Sequence, residues 1–227
     1  MSTTRPTRAL VLVNGDDTHH DLLAASPILQ QLGVDADLVT DRGMGMNRFI
    51  DPRPATADAD VYLLYTSGGA FPTAQQEALA SAVRAGKGVV ALHCANLVGF
   101  GEGGLEADRP LFDLLGNRYL SHGPGYHEGR QTVEFVGEHP ITQGLENFEI
   151  FDEYYEYAFA DDGHQVLATR ARVEDGVAIP LMYTREVGAG RVVYLALGHD
   201  LRAWGEPGFR TLVKRSLRWA AGLEVEA

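Results

Sequence analysis

Histidine, cysteine and carboxylate side chains fall in this sequence where buried chain would be expected to surface. The run Lys87-Gly88-Val89-Val90-Ala91-Leu92 ends abruptly in His93-Cys94-Ala95-Asn96, and Arg191-Val192-Val193-Tyr194-Leu195-Ala196-Leu197 ends in Gly198-His199-Asp200. Short apolar runs bounded by glycine read as buried parallel strands. Ligands of open α/β sheets bind beyond the carboxyl ends of such strands, so each run delivers a histidine where chemistry is expected. His19 and His20 follow an earlier apolar run, and His127 sits among glycines. Imidazole is a common ligand of zinc and similar divalent metals, so histidines gathered on one edge could hold an ion. A single histidine there is more often a hydrogen-bonded structural residue than a ligand. The sequence has no His-Glu-x-x-His spacing, so a metal centre rests on the topology.

Other groups invite chemistry beside a plainer reading. Cys94 follows the central strand in a sharp turn, where a His-paired thiolate could act as nucleophile with His199 as base. The turn lacks the glycines of a nucleophile elbow, and free cysteine is also among the most buried residue types. Asp152 and Glu153 stand between Phe151 and Tyr154-Tyr155. In apolar surroundings one carboxyl could exchange protons with substrate, or the segment could be aromatic core with a solvated acidic side. Gly99-Phe100-Gly101-Glu102-Gly103-Gly104 has the literal spacing of a dinucleotide fingerprint. It begins well after the strand ends, and Glu102 would face the phosphates, so no nucleotide cofactor is expected.

With 227 residues, 45% of them apolar and 9% aromatic, the chain reads as one α/β domain over 1–227 with a sizeable core. A formal net charge of −12 disfavours nucleic acid and anionic membrane surfaces. No apolar stretch approaches the ~18 residues of a membrane span, and no leader is evident, so a cytoplasmic location is expected. A single cysteine excludes an internal disulfide and a cysteine metal cluster.

The elements follow from periodicity. Strands are expected at 9–13, 36–40, 61–65 and 88–93, then at 131–136, 166–169, 179–183 and 192–197. Asp17 or Thr18 would cap the first helix, whose inner face is Ala25, Ile28, Leu29 and Leu32 before Gly33. Thr73 and Gln76 have the spacing of a capping box for a helix with Ala78, Leu79, Ala82 and Val83 inside, and Asp108 would cap a helix over 109–115. Residues 41–58 read as a surface connection, and 116–130 show no period. Val187-Gly188-Ala189-Gly190 predicts an antiparallel hairpin. Phe209, Leu212, Val213, Leu217 and Ala220 face inward on a closing helix that ends at Gly222.

Taken together and in order, several pieces carry a resemblance. They are Gly88–His93, His139-Pro140-Ile141-Thr142-Gln143-Gly144-Leu145, Phe151–Tyr155, Pro180–Arg185, Gly188–Asp200 and Trp219–Gly222, with His20-Asp21 after the first strand. The chain resembles the trehalose-utilisation (ThuA-like) family of the class I glutamine amidotransferase-like superfamily. That resemblance implies a flavodoxin-like three-layer sandwich with a mostly parallel sheet. It also implies that His93 replaces the amidotransferase cysteine, so a glutaminase is not expected; Cys94, where a small residue is usual, is a departure.

The implied activity is carbohydrate processing, on a keto-sugar or 3-keto-glycoside, by removal of the proton next to the carbonyl. Isomerisation or glycoside cleavage would follow. The expected assignment gives catalysis to His93, His199, Asp152 and Glu153, and substrate contacts to His20, Asn96, Tyr155 and Asp200. A divalent metal, zinc or manganese, would sit on His20, His93, His127 and His199. A carbohydrate is the expected small-molecule partner, with a sugar dehydrogenase in the same pathway; the sequence leaves a homo-oligomer open. A Cys94-dependent hydrolase and a non-catalytic sugar-binding module are the alternatives.

Overall fold

The computed structural model describes residues 5–15, 19–125 and 127–226. In chain order the elements are β1 (Arg8–Gly15), α1 (Leu22–Val34), β2 (Val39–Met44), α2 (Pro54–Ala57), β3 (Val61–Ser67), α3 (Thr73–Arg84) and β4 (Gly88–Leu92). Next come α4 (Gly104–Ala107), α5 (Arg109–Leu115), β5 (Asn117–Ser121), β6 (Glu128–Phe135), β7 (Phe148–Glu153) and β8 (Glu156–Phe159). The chain closes with β9 (Gln165–Ala171), β10 (Ala178–Val187), β11 (Gly190–Leu195), α6 (Leu201–Trp204) and α7 (Pro207–Ala220).

A nine-stranded sheet runs β2-β1-β3-β4-β11-β10-β9-β6-β7, beside a separate β5-β8 ribbon. Its first five strands are parallel. With β11 as the fifth, their order is the 2-1-3-4-5 of flavodoxin-like sheets, whose ligand crevice opens between β1 and β3. Helices α1 and α7 pack together against the sheet, as do α3 and α5 elsewhere on it. Every residue of β3 and β4 is buried, which explains the apolar runs Val61–Tyr65 and Gly88–Leu92. Gly88 serves close approach: a Cβ there would strike the backbone of Ala220 on α7. The expected hairpin is present, with Val187 paired to Gly190.

Several local expectations shift. The second strand starts at Val39, because α1 runs to Val34 and residues 35–38 form its exit. Leu38 N–H returns to the Gly33 carbonyl, with Asp37 in the left-handed region at φ 62°. Asp17 and Thr18 lie outside the described residues, and the α1 cap is Asp21, whose carboxylate accepts from Ala24 N–H at 2.9 Å. The capping box does not form. Thr73 Oγ1 donates to the Ala107 carbonyl, and the Gln76 amide donates to Phe71 O and Asp108 Oδ1. Asp108 does not cap α5 through its side chain; its Oδ2 accepts Gly99 N–H. These polar groups bind the 97–108 loop to α3 instead. Residues 41–58 contain the end of β2 and all of α2, and 116–130 contain β5 and the start of β6.

Candidate functional site

The site lies beyond the carboxyl ends of the parallel strands. His93 follows β4 at φ 45°, a left-handed backbone conformation unusual for a residue with a side chain. Two contacts hold it there. Its carbonyl accepts from Tyr194 Oη at 3.0 Å, and its Nδ1 donates to the Ala196 carbonyl at 2.8 Å. The second contact fixes the tautomer, so the basic Nε2 faces the site. Nε2 stands 3.2 Å from Glu153 Oε2 and 3.3 Å from His199 Nδ1. His199 Nδ1 is in turn 3.3 Å from Glu153 Oε2. His20 Nδ1 lies 2.9 Å from Ser67 Oγ at the end of β3, and its ring centre is 5.2 Å from that of His93 and 5.0 Å from that of His199. One donor atom from each of His20, His93, His199 and Glu153 lies within 4.8 Å of the others.

The two adjacent carboxylates do different work. Asp152 is buried and turned away from the cluster. Its Oδ2 accepts Gly198 N–H at 2.7 Å, and its Oδ1 accepts His199 N–H at 3.1 Å and Glu153 N–H at 2.9 Å. Burial pushes its carboxyl up against the opposing pull of His93 and these amides. Asp152 thus ties together the backbone at Gly198, His199 and Glu153; the expectation gives proton exchange to Asp152 or Glu153. Glu153 faces the histidines. Burial raises its carboxyl, but the hydrogen bond and charge of His93, with His199 and His122, outweigh this and hold it at about 2.

Other expected residues scatter. His127 is exposed and stacks on His122, ring centres 5.0 Å apart, outside the four-residue cluster; Glu153 takes the fourth place instead. Tyr155 stacks on His93 at 4.3 Å, with burial holding its hydroxyl well above the usual range. Asn96 is wholly enclosed, and neither amide atom has a hydrogen-bond partner among the described residues. Asp200 caps α6 and pairs with Arg202 at 2.5 Å, which also reaches Glu128 at 2.6 Å, so it belongs to the rim. Cys94 is wholly buried in the hydrophobic core, as its plainer reading expected. Sequence reasoning missed Ser67 and the Ala196 carbonyl, which orient His20 and His93. Ser67 could have been found as the polar end of the β3 run.

Three imidazoles and a carboxylate form the donor set of zinc and related divalent ions. Bonds of about 2.0–2.1 Å to a tetrahedral ion place neighbouring donors about 3.3 Å apart. The three separations among His93, His199 and Glu153 are 3.2, 3.3 and 3.3 Å, so these residues fit such an ion. No helix among the described residues is long and apolar enough to cross a membrane.

The trehalose-utilisation (ThuA) family model matches residues 8–220. No curated protein sequence matches the chain. Among solved structures, a ThuA-like protein from Parabacteroides merdae superposes with a TM-score of 0.76 at 17% identity, over 97% of this chain and 92% of that one. A ThuA-like protein from Bacteroides uniformis gives 0.70 at 17% identity, over 97% and 94%. A β-galactosidase from Bacillus circulans sp. alkalophilus gives 0.61 at 12% identity, with 96% of this chain covering only 32% of that one. At these identities the superpositions establish a shared fold. The match over nearly the whole sequence makes this chain a member of the trehalose-utilisation (ThuA) family, within the glutamine amidotransferase-like superfamily and linked to carbohydrate utilisation.

Proposed function

We propose that this protein is a metal-assisted carbohydrate enzyme that removes the proton beside the carbonyl of a keto-sugar or 3-keto-glycoside. The observation that carries the reading is the convergence of His20, His93, His199 and Glu153 at the carboxyl edge of the parallel sheet. A divalent ion held there would supply Lewis-acid stabilisation of negative charge on the substrate's carbonyl oxygen. Ser67 and the Ala196 carbonyl keep the His20 and His93 rings in place. A base at this edge of the sheet takes the proton from C2, and the C–H electron pair moves onto the C3 oxygen as an enediolate. Return of that pair either reprotonates carbon, which isomerises the sugar, or expels the C1 substituent, which cleaves the glycoside. Asp152 keeps Glu153 and His199 in register through their backbone amides.

The whole chain would act as one catalytic domain. A sugar dehydrogenase must make the 3-keto substrate, and the lone buried cysteine suits the reducing cytoplasm. The test is turnover of a 3-keto-glycoside by the wild type, His93→Ala and His199→Ala proteins. The proposal expects a loss of at least about 100-fold in both variants. Undiminished turnover in both would overturn it. Stabilisation by sugar with no turnover would instead favour a binding module.

A further inference from the structure

A cleft of about 810 Å³ lies beside the histidine cluster, between the segments that follow β3 and β4. Residues 66–73 form one wall and the chain after His93, out to Glu102, forms another; Asn14 at the end of β1 and Tyr119 on β5 complete it. Its size is that of a small-molecule site, roughly 300–1,000 Å³. Two contacts join it to the cluster. Ser67 Oγ, in the lining, is 2.9 Å from His20 Nδ1, and the Tyr119 ring packs at 4.7 Å on Tyr155, which stacks on His93.

The lining governs what fits. Phe71, Pro72, Leu97, Phe100, Leu111 and Tyr119 give it an apolar and aromatic surface. Several of its polar side chains are engaged within the protein. The Asn14 amide donates to the Gly68 and Ala70 carbonyls at 3.1 and 3.3 Å, and Thr73 Oγ1 donates to the Ala107 carbonyl at 2.8 Å. Asp108 accepts Gly99 N–H and the Gln76 amide, each at 2.8 Å, which ties the loop carrying Phe100 to α3. A ring covered in hydroxyls would give up its water here for few matching partners, which opposes binding. Among the described residues the lining has no lysine, arginine or histidine, and it does have Glu102, so an anionic ligand is repelled. A flat, neutral aromatic ring suits it best. Phe100 is 62% exposed with its ring centre 6.0 Å from that of Tyr119, and a ligand ring laid on it removes apolar area from both.

We infer that this cleft holds the aromatic, phenol-type leaving group of a glycoside, with Phe100 as its stacking platform, while the sugar ring lies at the histidine cluster. This rests on the proposed function, which it deepens by making an aryl glycoside the substrate class. The chemistry agrees. When the enediolate pair returns to rebuild the C3 carbonyl, a C1=C2 double bond forms and the C1–O bond breaks. Its electron pair leaves on the phenol oxygen, which takes up the proton removed from C2. A phenol ionises at about pH 10, well below an alcohol, so this group departs without a strong acid beside it.

The experiment titrates 2-naphthol, a neutral two-ring phenol, into wild type, Phe100→Ala, Phe100→Tyr and Val177→Ala at pH 7 by isothermal calorimetry. Val177 is exposed outside the cleft and controls for adsorption to apolar surface. The same samples are assayed for turnover of phenyl and methyl 3-keto-glucosides. The inference expects wild type and Val177→Ala to bind 2-naphthol alike, Phe100→Ala to bind it about tenfold more weakly, and Phe100→Tyr to restore binding. It also expects Phe100→Ala to lower kcat/KM about tenfold for the phenyl substrate and to leave the methyl substrate unchanged. Absence of 2-naphthol binding by wild type, or binding indifferent to Phe100, would overturn the inference, and turnover of both glucosides in that case would leave the proposed function standing. Phe100-dependent 2-naphthol binding with turnover of neither glucoside would refute the proposed reaction and keep the cleft as an aromatic-ligand site.

Discussion

In the parallel half of the sheet, β3 and β4 bury every residue, whereas β6 and β7 in the antiparallel half alternate between buried and open positions. The parallel half supplies three imidazoles, His20, His93 and His199, from loops that leave strands packed on both faces. The antiparallel half supplies the one carboxylate from β7, an edge strand paired on one side only. A donor on an edge strand has less to hold it, and Asp152 makes good the difference. Its carboxylate accepts from Gly198 and His199 beyond β11 and from Glu153 beside it, joining the two halves at the site. The rigid strands thus set where the histidines stand, and one buried carboxylate sets where Glu153 meets them.

The sharpest way to break this division is to remove a donor from each half. His93→Ala and His199→Ala should abolish stoichiometric divalent-metal uptake, and Glu153→Gln should weaken it, as read by elemental analysis after dialysis. Next in size is Asp152→Asn. An amide cannot accept three N–H groups, so the variant should lose about 1–3 kcal/mol of stability in denaturant melts. It should also bind metal about 10–100-fold more weakly although it supplies no ligand atom. Normal metal affinity in that variant would show that the antiparallel half needs no such tie.

The parallel half can be probed away from the site. Gly88→Ala should cost about 1–3 kcal/mol, because the added methyl strikes the Ala220 backbone, while metal stoichiometry is unchanged. Cys94 should react slowly with an alkylating reagent at neutral pH in the folded protein, and Cys94→Ala should keep full metal content; rapid labelling would restore the nucleophile reading. Arg202→Ala, which removes the exposed pairs to Asp200 and Glu128, should change stability by no more than about 1 kcal/mol.

The same contrast explains what could be read from the sequence. Strands buried on both faces leave apolar runs, so β1, β3, β4 and β11, and the histidines after β1, β4 and β11, were legible. The central hairpin was legible from Gly188 and Gly190. Half-buried strands leave weaker traces, and β5, β7 and β8 went unseen within polar or aromatic segments. Thr73, Gln76 and Asp108 have capping spacing but bond across the fold, a tertiary choice that local pattern does not carry. At the site, sequence placed His127 with the other histidines and left Asp152 and Glu153 equivalent. Only the course of β6 and β7 separates them: His127 precedes β6 and stays outside, while Asp152 and Glu153 at the end of β7 face opposite ways.

We propose that His20, His93, His199 and Glu153 together hold one divalent metal ion. The most direct test is the metal content of the purified wild-type protein beside His93→Ala and His199→Ala. The account predicts close to one equivalent of a divalent transition metal such as zinc or manganese in wild type, and its loss in both variants. A wild-type protein that contains no metal, and whose Tm does not move when zinc or manganese is added, would contradict it.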